Sequence, residues 1–492
     1  MLDPKKYKVI EPEQKPKKED KPIVPGVQNR LLLSDATFVG AKKNPTLFAW
    51  CEALSMLAKN LYNASLFRIR QIFFGWDKAP EKRSEHEKTV FAEIDKLHVE
   101  FPDMKAKKVI SYKHLEKLMR VTKNSDFFAG LPMQTAQAVV KDAISDFKNW
   151  LSACKEYKKD SSKFLGKPKM PGYCKSPYRT FTLTNQDAVF YRVQADDTHP
   201  ESTEMKLPLT SVRLPMPHMR PEDDLREVKV TRSYGRYQIC CVVAVPFDSL
   251  PTRTGLAGLD LGVANIAALV FTTSHAYVYK GGAILSHNRL FAKKKASAVS
   301  ALTKGHKPKH VESRHLERLS RRHSDFTRDT LHKIANDIIV RCIKHDAGIL
   351  VIGKNLLWKQ NTKMSKRNNQ NFVNIPHAKL IDYITYRAAK YGIMVVLQEE
   401  SYTSKADLIA KDFMPVYGQE NGKPKFSGVR AERGTYSCSN GLDINADCNG
   451  AGNILRKAIP TAWDQVTDYR FMATPVSIKF TDFMPNYIMD PA

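Results

Sequence analysis

The stretch "LAGLDLGVANIAALVF", residues 256–271, reads as an apolar strand interrupted by one charge, Asp260. An ionised carboxylate inside a core strand is costly unless it is paired or metal-bound. Taken alone, an aspartate of this kind is also compatible with a structural role. The surroundings supply the context. "HAYVYKGG" reads as the next strand, "AGILVIGKN" (347–355) as another, and "IMVVLQEE" (393–400) as one more, with helical stretches between them. Strands alternating with helices predict an α/β domain.

The segment "MVVLQEESYTSKADL" (394–408) ends its strand on two adjacent carboxylates, Glu399 and Glu400. Open α/β sheets place their chemistry at the carboxyl ends of strands. Farther on, "DINADCNGAGNILRKA" (443–458) puts Asp447 at a helix start, followed by the small residues Gly450, Ala451 and Gly452, which permit close backbone approach. Asp447 also suits a helix N-cap. Acids flanking an α/β core in a basic chain point to a two-metal nuclease, whose ions lie roughly 4 Å apart.

Charge is the strongest bulk signal. The 492 residues carry a formal net charge of +27, with a pI near 9.6, which implies a polyanionic partner. The length suggests about three domains, and 42% hydrophobic residues suffice for sizeable cores. No run reaches the length of a membrane span, and "MLDPKKYKVI" lacks the apolar stretch of a signal peptide. The expectation is therefore a protein that is neither secreted nor membrane-bound. The cysteines at 51, 154, 174, 240, 241, 342, 438 and 448 contain no CxxC pair, which argues against both a disulfide framework and a zinc ribbon.

Residues 1–27 read as a disordered basic arm whose "KPKKEDK" is a candidate nuclear-import signal. A first strand follows (28–45). Residues 46–160 form a helical module, with Leu47, Trp50, Leu54, Leu57 and Leu61 on one stripe and Ala136, Val139, Val140, Ala143, Phe147, Trp150 and Leu151 on another. Residues 161–250 are β-rich, with a hairpin turn near Tyr234 and Gly235. The segment 158–186 interleaves Lys163, Lys167 and Lys169 with Phe164, Tyr173, Tyr178 and Phe181, a pattern that suits RNA, although a basic loop leading into a strand has the same composition. Lys293, Lys294, Lys295, Arg321 and Arg322 lie in the basic stretch 291–323. Lys354 and Lys359 lie in the basic loop 354–371, where Trp358 reads as a core residue.

The segments "KNLYNASLFRIRQIFF", "SKFLGKPKMP", "GLDLGVANIAALV", "LVIGKNLLWKQ", "NFVNIPHAKLIDYITYRAAKYGI", "EESYTSK", "FSGVRAERGTYS" and "INADCNGAGNILRKA" together resemble the TnpB proteins of bacterial transposons and their eukaryotic relatives, the Fanzor proteins. The likeness runs in order from about residue 46 to 458. It implies a multidomain α+β architecture: a helical recognition module, a β-barrel wedge, and an RNase H-like (RuvC) nuclease domain. That nuclease would be split into 254–400, with 291–323 as a basic lid, and 441–475. A target-nucleic-acid-binding insert (401–440) would separate the two parts, and 476–492 would be a C-terminal tail. It further implies an RNA-guided DNA endonuclease that acts as a monomeric ribonucleoprotein. Its partners would be a guide (omega) RNA and double-stranded target DNA carrying a short flanking motif; its cofactor would be two Mg²⁺ ions. Location would be the nucleus in a eukaryote, and the cytoplasm or nucleoid otherwise.

By that resemblance Asp260 fits the first RuvC acid and Asp447 the third. The second departs. Many TnpB proteins carry a Glu directly after the strand that here reads "LVIGKN", and this chain has Gly353 and Lys354 there. Either the nuclease is inactive or the acid has moved, and "EESYTSK" matches a relocated glutamate. Consecutive side chains alternate in direction along a strand, so one of the two glutamates should ligate; Glu400 is preferred over Glu399. The paired cysteines of many relatives are missing too, so no zinc is expected and ordinary packing should hold the insert. Three rivals remain: a catalytically inactive RNA-guided DNA-binding protein, an RNase H-like transposase, and a general RNA-binding protein.

Overall fold

The computed structural model describes residues 30–194, 202–216, 224–246, 253–303, 311–354, 375–416, 423–432 and 434–483. The basic arm 1–27, Lys359, Trp358 and most of the loop 354–371 lie outside these residues. The chain divides into two compact units, Leu32–Val245 and Pro246 onwards.

The first unit begins with β1 (Arg30–Val39) and four helices: α1 (Pro45–Gly75), α2 (Glu85–Glu100), α3 (Tyr112–Val121) and α4 (Met133–Lys159). Local chemistry sets their starts. Asn44 caps α1 by accepting from Leu47 N at 3.1 Å ahead of Pro45, and Ser84 with Glu87 forms a reciprocal capping box on α2. The two stripes read from sequence are buried, with Leu57, Trp150 and Leu151 half-covered at their edges. Among the described residues the β-rich half has six strands: β2 (Phe181–Thr184), β3 (Val189–Val193), β4 (Ser202–Lys206), β5 (Arg213–Pro215), β6 (Asp224–Ser233) and β7 (Arg236–Pro246). They form two sheets, ordered β1-β7-β6-β2 and β3-β4-β5, whose inward faces join the helices in one core. Tyr234 and Gly235, at φ 49° and 71°, make the β6–β7 hairpin turn.

The second unit holds β8 (Gly255–Leu261), β9 (Asn265–Phe271), β10 (His275–Lys280), α5 (Gly282–Thr303), α6 (Arg314–Lys344), β11 (Ala347–Gly353), α7 (His377–Lys390) and β12 (Met394–Gln398). These are followed by β13 (Val429–Glu432), β14 (Thr435–Ser437), β15 (Asp443–Asn445), α8 (Ala446–Ala458) and β16 (Val476–Ile478). The main sheet runs β12-β11-β8-β9-β10-β16. β9 is antiparallel to both its neighbours, while β8, β11 and β12 are parallel. Five strands in the order 3-2-1-4-5 with the second reversed are the RNase H-like arrangement. Residues 476–478, assigned by sequence to a tail, instead add a sixth strand parallel to β10, because Ile478 finds a buried place against the sheet. A three-residue strand carries too little periodicity to be read from sequence.

Helices α6 and α7 cover one face of the sheet and α8 the other. The α8 contact is unusually close. A side chain on Gly258 of β8 would collide with the carbonyl oxygen of Ala451 and would lie 2.9 Å from Leu455 Cβ. Replacing Gly258 with Val should therefore cost about 1–3 kcal/mol, measured as a lower denaturant midpoint with an unchanged slope.

Candidate active site

Backbone register brings three strand ends into line. Leu259, Ile352 and Leu397 form one row across β8, β11 and β12. The next residue on each strand is Asp260, Gly353 or Gln398. Alternation turns that second row towards α8, at the carboxyl edge of the parallel strands.

Helix α8 meets this row with its first turns. Asn445 is the cap, accepting from Asp447 N at 3.0 Å and Cys448 N at 3.2 Å. Asp447 is thus not the N-cap. Its side chain accepts from Asn265 Nδ2 at 2.6 Å, and Arg430 of β13 lies 3.6 Å from its other oxygen. One turn along, a side chain on Gly450 would stand 2.8 Å from Asp260 Oδ2, so the Asp260 carboxylate rests against bare helix backbone.

The two glutamates part company just beyond β12. Glu399 turns to Lys457 of α8, which donates to its Oε2 at 2.6 Å and to the carbonyl oxygens of Ser401 at 2.9 Å and Pro415 at 3.3 Å. Glu399 also accepts from Ser401 N at 2.5 Å. Burial pushes its carboxyl up, but Lys457 and Ser401 outweigh burial and hold it below the usual range. Glu400 turns the other way. Its side chain fills the space over Gly353: a Cβ there would lie 2.7 Å from Glu400 Cγ and 2.6 Å from Ile454 Cδ1, and closer still to Glu400 Oε1. Burial, then repulsion from Asp260 and Glu399, pushes Glu400 up to about 8. Burial and then Asp447 push Asp260 up to about 7, against the pull of Arg430.

A donor set made only of carboxylate oxygens suits Mg²⁺, and buried acids pushed up by neighbouring carboxylates are a charge imbalance that a cation relieves. Among the described residues, no group of three or more His, Cys, Asp and Glu side chains is drawn tightly enough to hold one ion. Mg²⁺ keeps several waters and commonly takes one or two carboxylates plus substrate phosphates.

The insert of 401–440 is held by more than the ordinary packing expected. Asp407 is fully buried and accepts from Ile409 N at 2.9 Å, Ala410 N at 3.2 Å and Ser439 N at 2.7 Å. Asn449 and Asn453 of α8, also fully buried, bind Ala406 O at 2.8 and 2.7 Å, and Arg456 donates to Asp412 O at 2.6 Å. Cys438 is buried beside this network.

Of the basic candidates, Lys163, Lys167, Lys169, Lys293, Lys294, Lys295, Arg322 and Lys354 are exposed, and Arg321 is half-buried. Tyr173 is exposed with Arg70 5.1 Å from its ring, whereas Phe181 is core and Tyr178 donates to Glu52 Oε1 at 2.6 Å. Most rings of that segment are therefore structural. Sequence reasoning missed Asn265, Arg430, Asp407 and Lys457. Their roles depend on pairing across the fold, and only their membership in the family-like segments marked any of them.

Residues 238–359 match the family described as OrfB_IS605, probable transposase, and residues 377–454 match the Cas12f1-like TNB domain. The solved structures similar to this chain include a Cas12f1–sgRNA–target DNA complex, at 12% identity over 82% of both chains with a TM-score of 0.42. Another is a CRISPR-Cas12f ternary complex, at 13% identity over 82% of this chain and 81% of that one, with a TM-score of 0.28. A third is C2c1 of Alicyclobacillus acidoterrestris with single-guide RNA, at 9% identity over 84% and 71% with a TM-score of 0.32. No curated protein sequence matches the chain. Among the described residues no helix is long and apolar enough to cross a membrane.

Two outcomes follow from the site. Because the folded-state pKa values of Asp260 and Glu400 are raised, their contribution to stability is complete below about pH 4 and is lost as pH rises from there to about 8. In metal-free buffer the melting temperature should fall across that range, and Glu400→Gln should melt higher than wild type at the alkaline end. Adding Mg²⁺ should restore wild type and leave the variant unmoved. In the insert, Asp407→Ala should cost about 2–4 kcal/mol, whereas a zinc chelator should leave the melting temperature unchanged.

Proposed function

We propose that the protein is an RNA-guided DNA endonuclease in which Asp260, Glu400 and Asp447 hold two Mg²⁺ ions, with Glu400 replacing the family's acid at position 353. The observation that carries this reading is the Glu400 carboxylate, which occupies the space a Gly353 side chain would need and faces Asp260. When bound, the ions activate water and stabilise the leaving oxygen of the phosphodiester. Asn265 orients the Asp447 carboxylate, the helix N-terminus favours its charge, and the Lys457–Glu399 pair fixes the turn from which Glu400 projects. No side chain acts as nucleophile.

The remaining parts follow the same reading. The helical module 46–160 and the wedge 161–250 would hold the guide RNA and the DNA flanking motif, helped by Lys163, Lys167, Lys169 and Tyr173. The lid 291–323 and the loop with Lys354 and Lys359 would track the strand being cut. The protein would work as a monomeric ribonucleoprotein without zinc, belonging to the branch with a relocated glutamate that includes the Fanzor proteins. In a eukaryote it would be nuclear.

A binding protein without nuclease activity is the second reading. One observation favours it: the Arg430 guanidinium lies 3.6 Å from Asp447, where it partly neutralises the site. Cleavage decides between them. RNA that copurifies with the protein is sequenced, and a matched duplex is offered with Mg²⁺. Glu400→Ala should lose at least about a hundredfold in rate, Glu399→Ala should lose less, and Gly353→Glu combined with Glu400→Ala should recover part of the loss. Unimpaired cutting by Glu400→Ala would sink the relocation. Absence of cutting by wild type supports the binding protein, and end joining without RNA supports a transposase.

A further inference from the structure

The antiparallel pair α5–α6 contains an arrangement that the carboxylate site does not use. Four rings lie face to face along its seam. Phe326 stacks on His287 at 4.0 Å between centroids, His287 on His323 at 5.3 Å, and His323 on Phe291 at 4.0 Å, with interplanar angles of 19°, 7° and 2°. Burial, and then nearby positive charge, pushes both imidazoles below the usual histidine range.

The stack ends at a cavity of about 370 Å³ lined by Asn288, Phe291, Lys295, Val299 and His323. Asn288 is 4% exposed, yet among the described residues neither its amide oxygen nor its amide nitrogen has a hydrogen-bond partner, and the same holds for His323 Nδ1. A buried amide left unsatisfied costs about 1–3 kcal/mol. The chain thus maintains, at a cost, a donor and an acceptor side by side beside an open ring stack. Lys295 reaches over Phe291 at 5.8 Å, and Lys293, Lys294 and Arg322 are exposed nearby in sequence.

These features match one ligand chemistry. A flat ring face accepts a stacked base. A carboxamide pairs with a base edge through its adjacent acceptor and donor. An ammonium at the rim pairs with the attached phosphate. We infer that this cavity receives one unpaired nucleobase of a bound nucleic-acid strand, stacked on the Phe291–His323 platform, read by Asn288 and tethered through Lys295. The inference rests on the nucleic-acid-binding part of the reading above and is independent of cleavage.

The test uses the full-length protein, freed of nucleic acid and irradiated with ultraviolet light in complex with single-stranded RNA or single-stranded DNA oligonucleotides. Adducts are mapped by mass spectrometry. A base adduct on Phe291 or His323 is expected with at least one strand; an RNA adduct assigns the cavity to the guide and a DNA adduct to the target. Asn288→Leu and Phe291→Leu should each weaken that strand's binding roughly tenfold. Asn288→Leu should also melt no lower than wild type, because it removes the unsatisfied amide. Glu400→Gln should keep the adduct, which separates failure of the nuclease reading from failure of this one. If both strands bind but adducts form only elsewhere, or if Asn288→Leu binds as wild type does, the cavity holds water alone and the inference is overturned. If neither strand binds, the nucleic-acid reading falls with it.

Discussion

Helix α8 lies so close to β8 and β11 that side chains are excluded where they meet. Gly258 lies under Ala451, Gly450 lies against Asp260, and the space over Gly353 is taken by Glu400. Close packing of this kind tolerates little change in volume, so the distance between helix and sheet is fixed by backbone. Everything acidic in the site is referred to that distance. Asp260 projects from the strand, Asp447 from the helix, and Glu400 from the turn beyond the neighbouring strand. The carboxylates face one another because the layers cannot move apart without exposing the apolar contacts of Ala451, Ile454 and Leu455.

Two adjacent glutamates with opposite environments show how the site is made anionic without collapsing. Glu399 has a cation, a backbone donor and partial access to solvent, and it stays ionised easily. Glu400 is pushed up to about 8 by burial and then by the like charges of Asp260 and Glu399. In the proposed site the pair would work as a support and a ligand. Fixing Glu399 with Lys457 orders the turn, and the strained electrostatics are concentrated on the residue that faces Asp260. The cost of holding Glu400 and Asp260 together would be relieved by a bound cation, which would link metal binding to stability.

Much of this was legible in the sequence. The apolar strands with an embedded Asp260, the small residues after Asp447, and the missing acid at Gly353 all carry local signals, because alternation and steric demand are written in neighbouring residues. The choice between Glu399 and Glu400 was not. Alternation showed that the two should diverge, but which one faces the sheet depends on Lys457, fifty-eight positions away. Asp407 was invisible for the same reason, since its partners Ile409 and Ala410 are local but Ser439 closes the insert from thirty-two residues on. The strand at 476–478 was missed because three residues hold too little pattern.

The faces of α8 explain why the insert and the site belong together. Residues three and four apart share a face of a helix. Asp447, Gly450, Ala451, Ile454 and Leu455 look towards the sheet; Asn449, Asn453 and Arg456 look towards the insert and bind its carbonyls; Lys457 reaches back to Glu399. One helix of thirteen residues therefore supplies an acid, a floor, an anchor for the insert and the support for the second acid. Arg430, delivered by the insert's own hairpin to within 3.6 Å of Asp447, completes the circuit. A nucleic acid that displaced the insert would act on both ends of that circuit: it would move the guanidinium from Asp447 and pull on the helix that braces Glu399.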